Sequence, residues 1–258
     1  MSLSTIEVSP ELAIHAEGGV VRLTLNRPAK RNALSEMQVA RLSEALGQIA
    51  EDSAARVVVI AATGPVFCSG HDLSELTGRL EHEYRELFDR CSQMMLQIRR
   101  LPQPVVARVQ GLATAAGCQL VAACDLAVAA DTAQFATPGV KIGLFCTTPM
   151  VPLVRSIAPK AALEMLMTGR PIIASRALEL GLVNRVVPVA DLDTALDDLT
   201  DSLLANSSVV LELGKHAFYN EMSMDEATAY VWASDTMVTN ALLEDAQEGI
   251  GAFLAKRK

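Results

Sequence analysis

Short apolar runs alternate with longer stretches in which apolar residues recur every three or four positions, so strands and helices interleave along most of the chain. Val20, Val21, Leu23 and Leu25 mark a strand over 19–25. A helix capped by Ser35 follows, with Val39, Leu42, Leu46 and Ile49 on one face. The strand expected over 56–62 is continuously apolar after Arg56, the signature of a strand covered on both sides of its sheet. The stretch 80–100 places Tyr84, Leu87, Phe88, Cys91, Met94, Met95 and Ile98 at helical spacing, and Pro102 and Pro104 end it. The pattern then predicts a strand over 105–109, a helix over 113–124, strands over 126–129 and 134–136, and a helix over 151–166. A short helix capped by Ser175 and a strand over 183–187 complete this part.

From Asp191 the pattern is helical, with segments near 191–205, 207–220 and 225–243. The fold class read from the pattern is α/β with parallel strands, followed by a helical appendage. A chain of 258 residues can bury a large core in that form. A net charge of −8, with no basic run, argues against a nucleic-acid partner. No apolar run reaches the ~18–20 residues of a membrane span, and the start lacks the basic and apolar regions of a signal peptide. Cys68, Cys91, Cys118, Cys124 and Cys146 show no CxxC spacing and are expected as buried, reduced thiols of a cytoplasmic protein.

Two segments hold the candidate chemistry. Phe67-Cys68-Ser69-Gly70-His71-Asp72-Leu73 and Gly111-Leu112-Ala113-Thr114-Ala115-Ala116-Gly117-Cys118-Gln119-Leu120 each follow a strand, turn through glycine and enter a helix. The first N–H groups of a helix lack intrahelical partners, and its dipole adds positive charge there. Two such ends facing each other would hold a carbonyl that becomes an enolate or a tetrahedral oxyanion.

With Leu25-Asn26-Arg27-Pro28-Ala29-Lys30-Arg31-Asn32-Ala33-Leu34 ahead of them, and the ending 247–258 behind, these segments resemble the crotonase (enoyl-CoA hydratase/isomerase) superfamily over nearly the whole chain. The resemblance implies a spiral of repeated ββα units with an acyl-CoA site over residues 1–195. It implies a C-terminal helical region over 196–258 that assembles a homotrimer or a dimer of trimers. Coenzyme A would be part of the substrate rather than a tightly bound cofactor, and no metal site is implied.

The same resemblance assigns backbone donors to His71 and Ala116, in turns built by Ser69, Gly70, Asp72, Leu73 and Gly117. Lys30, Arg31 and Ala33 match the loop that contacts the nucleotide and pantetheine. Phe253 and Lys256 match C-terminal residues that join the site from the same or a neighbouring subunit. Asp72 and Asp125 are expected to be structural, Glu75 lies one turn beyond His71, and Cys146, Thr147 and Thr148 fall in a pocket-lining loop. His15, His82 and His216 have no comparable context.

Hydratases of the family use two glutamates, and the matching positions here hold Gln119 and Gly139. A glutamine amide can hold a water molecule but cannot accept its proton. A positioned acid or base contributes about 10²–10⁴-fold, so two-glutamate hydration is not expected. His71 is placed to move a proton instead, as in decarboxylating relatives that look similar here. Three readings stand: an enoyl-CoA hydratase/isomerase-like enzyme, a malonyl-type decarboxylase or thioester hydrolase, and a non-catalytic acyl-CoA-binding protein.

Overall fold

The continuous apolar run is the centre of the larger sheet. In the computed structural model, which describes residues 7–255, all six residues of the strand over Val57–Ala62 are buried. Its alternate side chains enter two cores: Val58 and Ile60 face one, and Val57, Val59 and Ala61 face the other. Burying each such valine or isoleucine contributes roughly 1.5–3 kcal/mol.

The elements run β1 (Glu7–Val8), β2 (Leu12–Glu17), β3 (Val20–Leu25), α1 (Glu36–Ala50), β4 (Val57–Ala62), β5 (Val66–Cys68), α2 (Glu81–Arg100), β6 (Val105–Val109) and β7 (Leu112–Thr114). Then come α3 (Ala116–Ala123), β8 (Leu126–Ala130), β9 (Gln134–Ala136), α4 (Thr147–Ser156), α5 (Pro159–Thr168), β10 (Ile172–Ile173) and α6 (Ala174–Leu180). The chain ends through β11 (Arg185–Val187), α7 (Leu192–Leu204), α8 (Ser208–Glu221), α9 (Glu226–Ala241) and α10 (Glu244–Leu254).

The larger sheet has the order β1-β2-β3-β4-β6-β8-β11. It is parallel from β3 to β11, with β1 and β2 antiparallel at one edge. The smaller sheet, β10-β9-β7-β5, is parallel from β9 to β5. Its pairing of β5 with β7 sets the ends of those strands, and the turns that follow, next to each other. Helices α1, α2 and α3 share one core with residues of both sheets, while Leu192 and Leu196 of α7 close the opposite face of the larger one.

The structure redraws three expected elements. Residues 113–124 are not one helix: Ala115 has φ 49°, so strand β7 ends before it and α3 begins after it. The helix over 151–166 is two, broken at Ile157 and Ala158 and restarted by Pro159 at the first helical turn, where a missing N–H costs nothing. Ser175 lies inside α6, whose N-cap is Ile173. Strand β2 was not expected, because the alternation of buried Leu12 and Ile14 is too short to stand out, while α10 extends the helical stretch beyond the three segments marked. The residue 195/196 boundary falls within α7.

One buried polar knot ties α8 to the core. Lys215 Nζ donates to the carbonyls of Ile98 (3.0 Å) and Gln103 (2.9 Å) and lies 2.7 Å from Asp125 Oδ2. Asp125 also accepts the Val105 N–H (2.7 Å) and the Tyr219 hydroxyl (2.7 Å). The Arg99 guanidinium lies 4.9 Å from the Tyr219 ring centre. Burial pushes the lysine below its usual range, and the Asp125 carboxylate opposes that shift. Every donor of the ammonium is used, so the pair meets the condition under which buried ions are tolerated. Replacing Lys215 with methionine leaves Asp125 without its counter-ion. The expected loss is about 3 kcal/mol in guanidinium unfolding, partly restored by adding Asp125→Asn.

Candidate active site

The loop after β3 is built by Asn32, a residue the sequence reading passed over. Asn32 is fully buried, and its amide nitrogen donates to the carbonyls of Thr63 and Val66, both at 2.8 Å. Its side-chain oxygen accepts the Arg27 N–H at 2.9 Å. This holds Arg31 and Asn32 in left-handed backbone at φ 53° and 52° and leaves Lys30 and Arg31 on the surface. A polar side chain amid the cationic residues Lys30 and Arg31 was the available signal.

Residues 31–34 then run alongside the first turn. The Ser69 N–H donates to Arg31 O (3.1 Å), the Leu34 N–H to Gly70 O (2.8 Å), and the Asp72 N–H to Leu34 O (3.1 Å). In this parallel pairing Leu34 stands opposite His71. The His71 N–H and C=O therefore point away from Leu34, as the alternation of a parallel ladder requires.

Against the other side lies the second turn. Gly70 has φ 91°, and a β-carbon there would lie 2.9 Å from Ala115 Cβ and 3.3 Å from Ala116 N. The Thr114 hydroxyl donates to Ser69 O at 3.0 Å, a second tie between the turns. Gly117 sits so close to Cys68 that an added β-carbon would collide with its carbonyl oxygen and lie 2.8 Å from its carbonyl carbon. Ala116 is the first residue of α3, so its N–H has no acceptor within the helix. Ala115 holds φ 49° and ψ −119°, a conformation that costs a non-glycine residue of order 1–3 kcal/mol.

Burial pushes the His71 imidazole below its usual range, and the neighbouring Leu34 backbone pulls less strongly the other way. The ring meets Phe88 edge-on at 5.6 Å, and its Nε2 has no hydrogen-bond partner. Gln119, only 3% exposed, donates its backbone N–H to Ala115 O (3.0 Å), while its side-chain Oε1 is unpartnered. Burial pushes the thiols of Cys68, Cys91 and Cys118 up to about 12 and also raises Cys146 and Cys124. A β-carbon at Gly139 would strike Leu144 O and lie 2.8 Å from Cys146 Sγ, so no side chain fits there.

The remaining predicted residues separate. Asp72 caps the short turn Leu73–Glu75 through Ser74 and pairs with Arg27 at 3.3 Å, a structural role. The Ser74 hydroxyl, ahead of the Arg27 charge, holds its carboxyl below the usual range. Leu73 is exposed beside it. Glu75 does not face the turns: its carboxylate accepts the Glu36 N–H (2.8 Å) at the start of α1. Ala33 is buried, and its carbonyl accepts a bond from Arg27. Phe253, on α10, is 84% exposed, and Lys256 lies outside the described residues. Among the described residues, no three His, Cys, Asp or Glu side chains gather as a metal site.

A family model described as enoyl-CoA hydratase/isomerase matches residues 15–258. The chain belongs to the enoyl-CoA hydratase/isomerase family. Its fold is the crotonase fold of that family. It is similar to the structure of an enoyl-CoA hydratase from Mycobacterium smegmatis, at 49% identity and TM-score 0.95, covering 97% of this chain and 98% of that one. It is also similar to the structure of human enoyl Coenzyme A hydratase domain-containing protein 3, at 47% identity and TM-score 0.93, covering 96% of this chain and 98% of that one. Among family sequences, the rat protein named "Enoyl-CoA hydratase domain-containing protein 3, mitochondrial" is 48% identical over 98% of this chain and 85% of its own length.

That name overturns the expectation of a cytoplasmic protein. Similar proteins of mouse, human and Xenopus laevis also carry the mitochondrial designation. The cysteine argument separates oxidising from reducing compartments and does not single out the cytoplasm among the latter.

Two measurements test this geometry. Gly117→Ala should lower thermal stability by about 2 kcal/mol or more, because the added methyl overpacks against Cys68; a neutral effect would mean that the turns are not in close contact. The depressed His71 pKa means that the unfolded chain binds more protons between that value and 6.5. Stability should therefore rise with pH through that window and be full above it, and acidification should remove it. His71→Gln should flatten this slope in denaturant titrations at successive pH values.

Proposed function

We propose that this chain is an acyl-CoA enzyme that polarises a thioester carbonyl between the backbone N–H groups of His71 and Ala116 and stabilises the enolate formed from it. The observations that support this reading are the seating of Gly70 against Ala115 and Ala116, a His71 N–H turned away from Leu34, and an Ala116 N–H with no acceptor within its helix. Donors fixed before the reaction stabilise developing charge without reorganising at the moment it forms.

Lys30, Arg31 and Ala33 are proposed to bind the nucleotide and pantetheine of coenzyme A, joined by Phe253 and Lys256. Ser69, Gly70, Asp72, Leu73 and Gly117 shape the turns. Apart from the Lys215 side chain, helices α8, α9 and α10 hold nothing buried, and with Leu242 between the last two they expose Tyr230, Val231, Phe253 and Leu254. This apolar surface supports an oligomerising role for 196–258 beside a core of 1–195, in a homotrimer or a dimer of trimers.

With Gln119 and Gly139 in place of the family's glutamates, the proton work falls to neutral His71 or to water held by Gln119. The filled space at Gly139 favours a second reading, binding of acyl-CoA without turnover.

The test is exchange of the α-protons of butyryl-CoA in D₂O, followed by NMR. The wild-type chain should catalyse exchange, and Ala116→Pro, which removes one N–H at a helix position that tolerates proline, should slow it by about 10²–10³-fold. Equal rates in the two proteins would remove the backbone donors from the mechanism. Binding without exchange would favour the second reading.

A further inference from the structure

We infer that Arg99 is a positioning residue of the proposed site: it sets a positive charge on the C-terminal end of α3 and so strengthens the pull of the Ala116 N–H on a thioester carbonyl at the other end. The inference rests on the acyl-CoA reading above, in which that N–H is one of two donors. All eight residues of α3, Ala116–Ala123, are buried, and none of them is charged. Eight residues span about 12 Å. Over so short a helix, the partial negative charge at its end subtracts from the positive charge at its start.

Arg99, on α2, meets that negative end. Its guanidinium donates to Ala122 O at 3.3 Å, while the carbonyls of Leu120 and Val121 are taken by the Cys124 N–H, both at 3.2 Å. Its partners among the described residues are this carbonyl and the Tyr219 ring, so its charge is not spent on a carboxylate. Asp125, two residues past the helix, could oppose that charge. Its two oxygens are instead held by Lys215 Nζ and the Tyr219 hydroxyl, each at 2.7 Å. The Cys124 thiol, at the C-cap of α3, registers the balance: burial and then Asp125 raise its pKa, and Lys215 and Arg99 work against the rise.

Lys215 and Tyr219 both belong to α8. The helical region beyond the core therefore seats the guanidinium on an aromatic face and neutralises the carboxylate that would cancel it. Docking of α8 and the field at the start of α3 are coupled through Arg99. The helix places that charge roughly 15 Å from the carbonyl. At an effective dielectric of about 20, a unit charge there changes the rate of enolate formation about sixfold. Solvent screening of the half-buried guanidinium brings the expected effect to about threefold.

The experiment reads the polarisation directly. Butyryl-CoA, isotopically labelled at its thioester carbonyl, is bound to the full chain, and the carbonyl stretch is recorded by infrared difference spectroscopy beside its α-proton exchange. In the wild type the stretch should fall below that of the free thioester. Arg99→Gln, which keeps an N–H donor and removes the charge, should reverse part of that fall and slow exchange about threefold, with the dissociation constant unchanged within about twofold. Arg99→Lys should restore both. A merely structural role would lower the melting temperature and leave the stretch of the bound thioester in place. Should Arg99→Gln fail to fold, Tyr219→Leu, which takes the ring from the guanidinium, should move the stretch in the same direction. Binding without exchange leaves the stretch to decide. A wild-type downshift that Arg99→Gln leaves unaltered overturns this inference and leaves the acyl-CoA reading intact. No downshift in the wild type, or no binding of butyryl-CoA, overturns both.

Discussion

Everything at the centre of this molecule depends on how closely two stretches of backbone approach each other. Gly117 lies on the Cys68 carbonyl and Gly70 lies on Ala115 and Ala116, with no room for a side chain between them. Close packing of this kind fixes relative position to within tenths of an ångström, because neither partner has a flexible end to give way. The pairing of β5 with β7 delivers the two turns to the same place, and the Thr114–Ser69 hydrogen bond sets their register. The proposed site of backbone donors would draw its precision from this packing, since N–H groups cannot swing on side-chain torsions.

The same helix is held at its far end. The Ala122 carbonyl accepts bonds from Arg99 (3.3 Å) and Ser156 (3.4 Å), and Arg99 also stacks on Tyr219, a member of the Lys215–Asp125 knot. Helix α3 is thus anchored at its start by steric fit and at its end by hydrogen bonds. The anchoring offsets the strained Ala115, because the surroundings leave that residue no alternative conformation.

Much of this was legible along the chain, for a physical reason. The apolar run of β4, the Ser35 cap and the stripe of α2 each express a local rule that the fold obeys. The two glycine turns announced the close approach of the two segments, since glycine at a strand-to-helix corner is informative only when something must approach closely. What could not be read depends on contacts distant in sequence. Glu75 spends its charge on α1 rather than on the site, a pairing set by a loop whose path no periodicity encodes. Asn32 is one polar letter in a polar stretch, and its importance appears only when Thr63 and Val66 arrive beside it. The start of α3 was misplaced because Ala115 takes a backbone angle foreign to its residue type.

Gly139 has a consequence for the history of the chain. The space into which a side chain at that position would grow is taken by Leu144 O and Cys146 Sγ. A descendant could not seat a carboxylate side chain there by one codon change alone, because the 143–146 loop would have to give way as well. Each intermediate on that route would carry the cost of overpacking with no proton-transfer group yet in place. A side chain at residue 139 is therefore reachable only together with a change in the 143–146 loop, and the two must alter in concert.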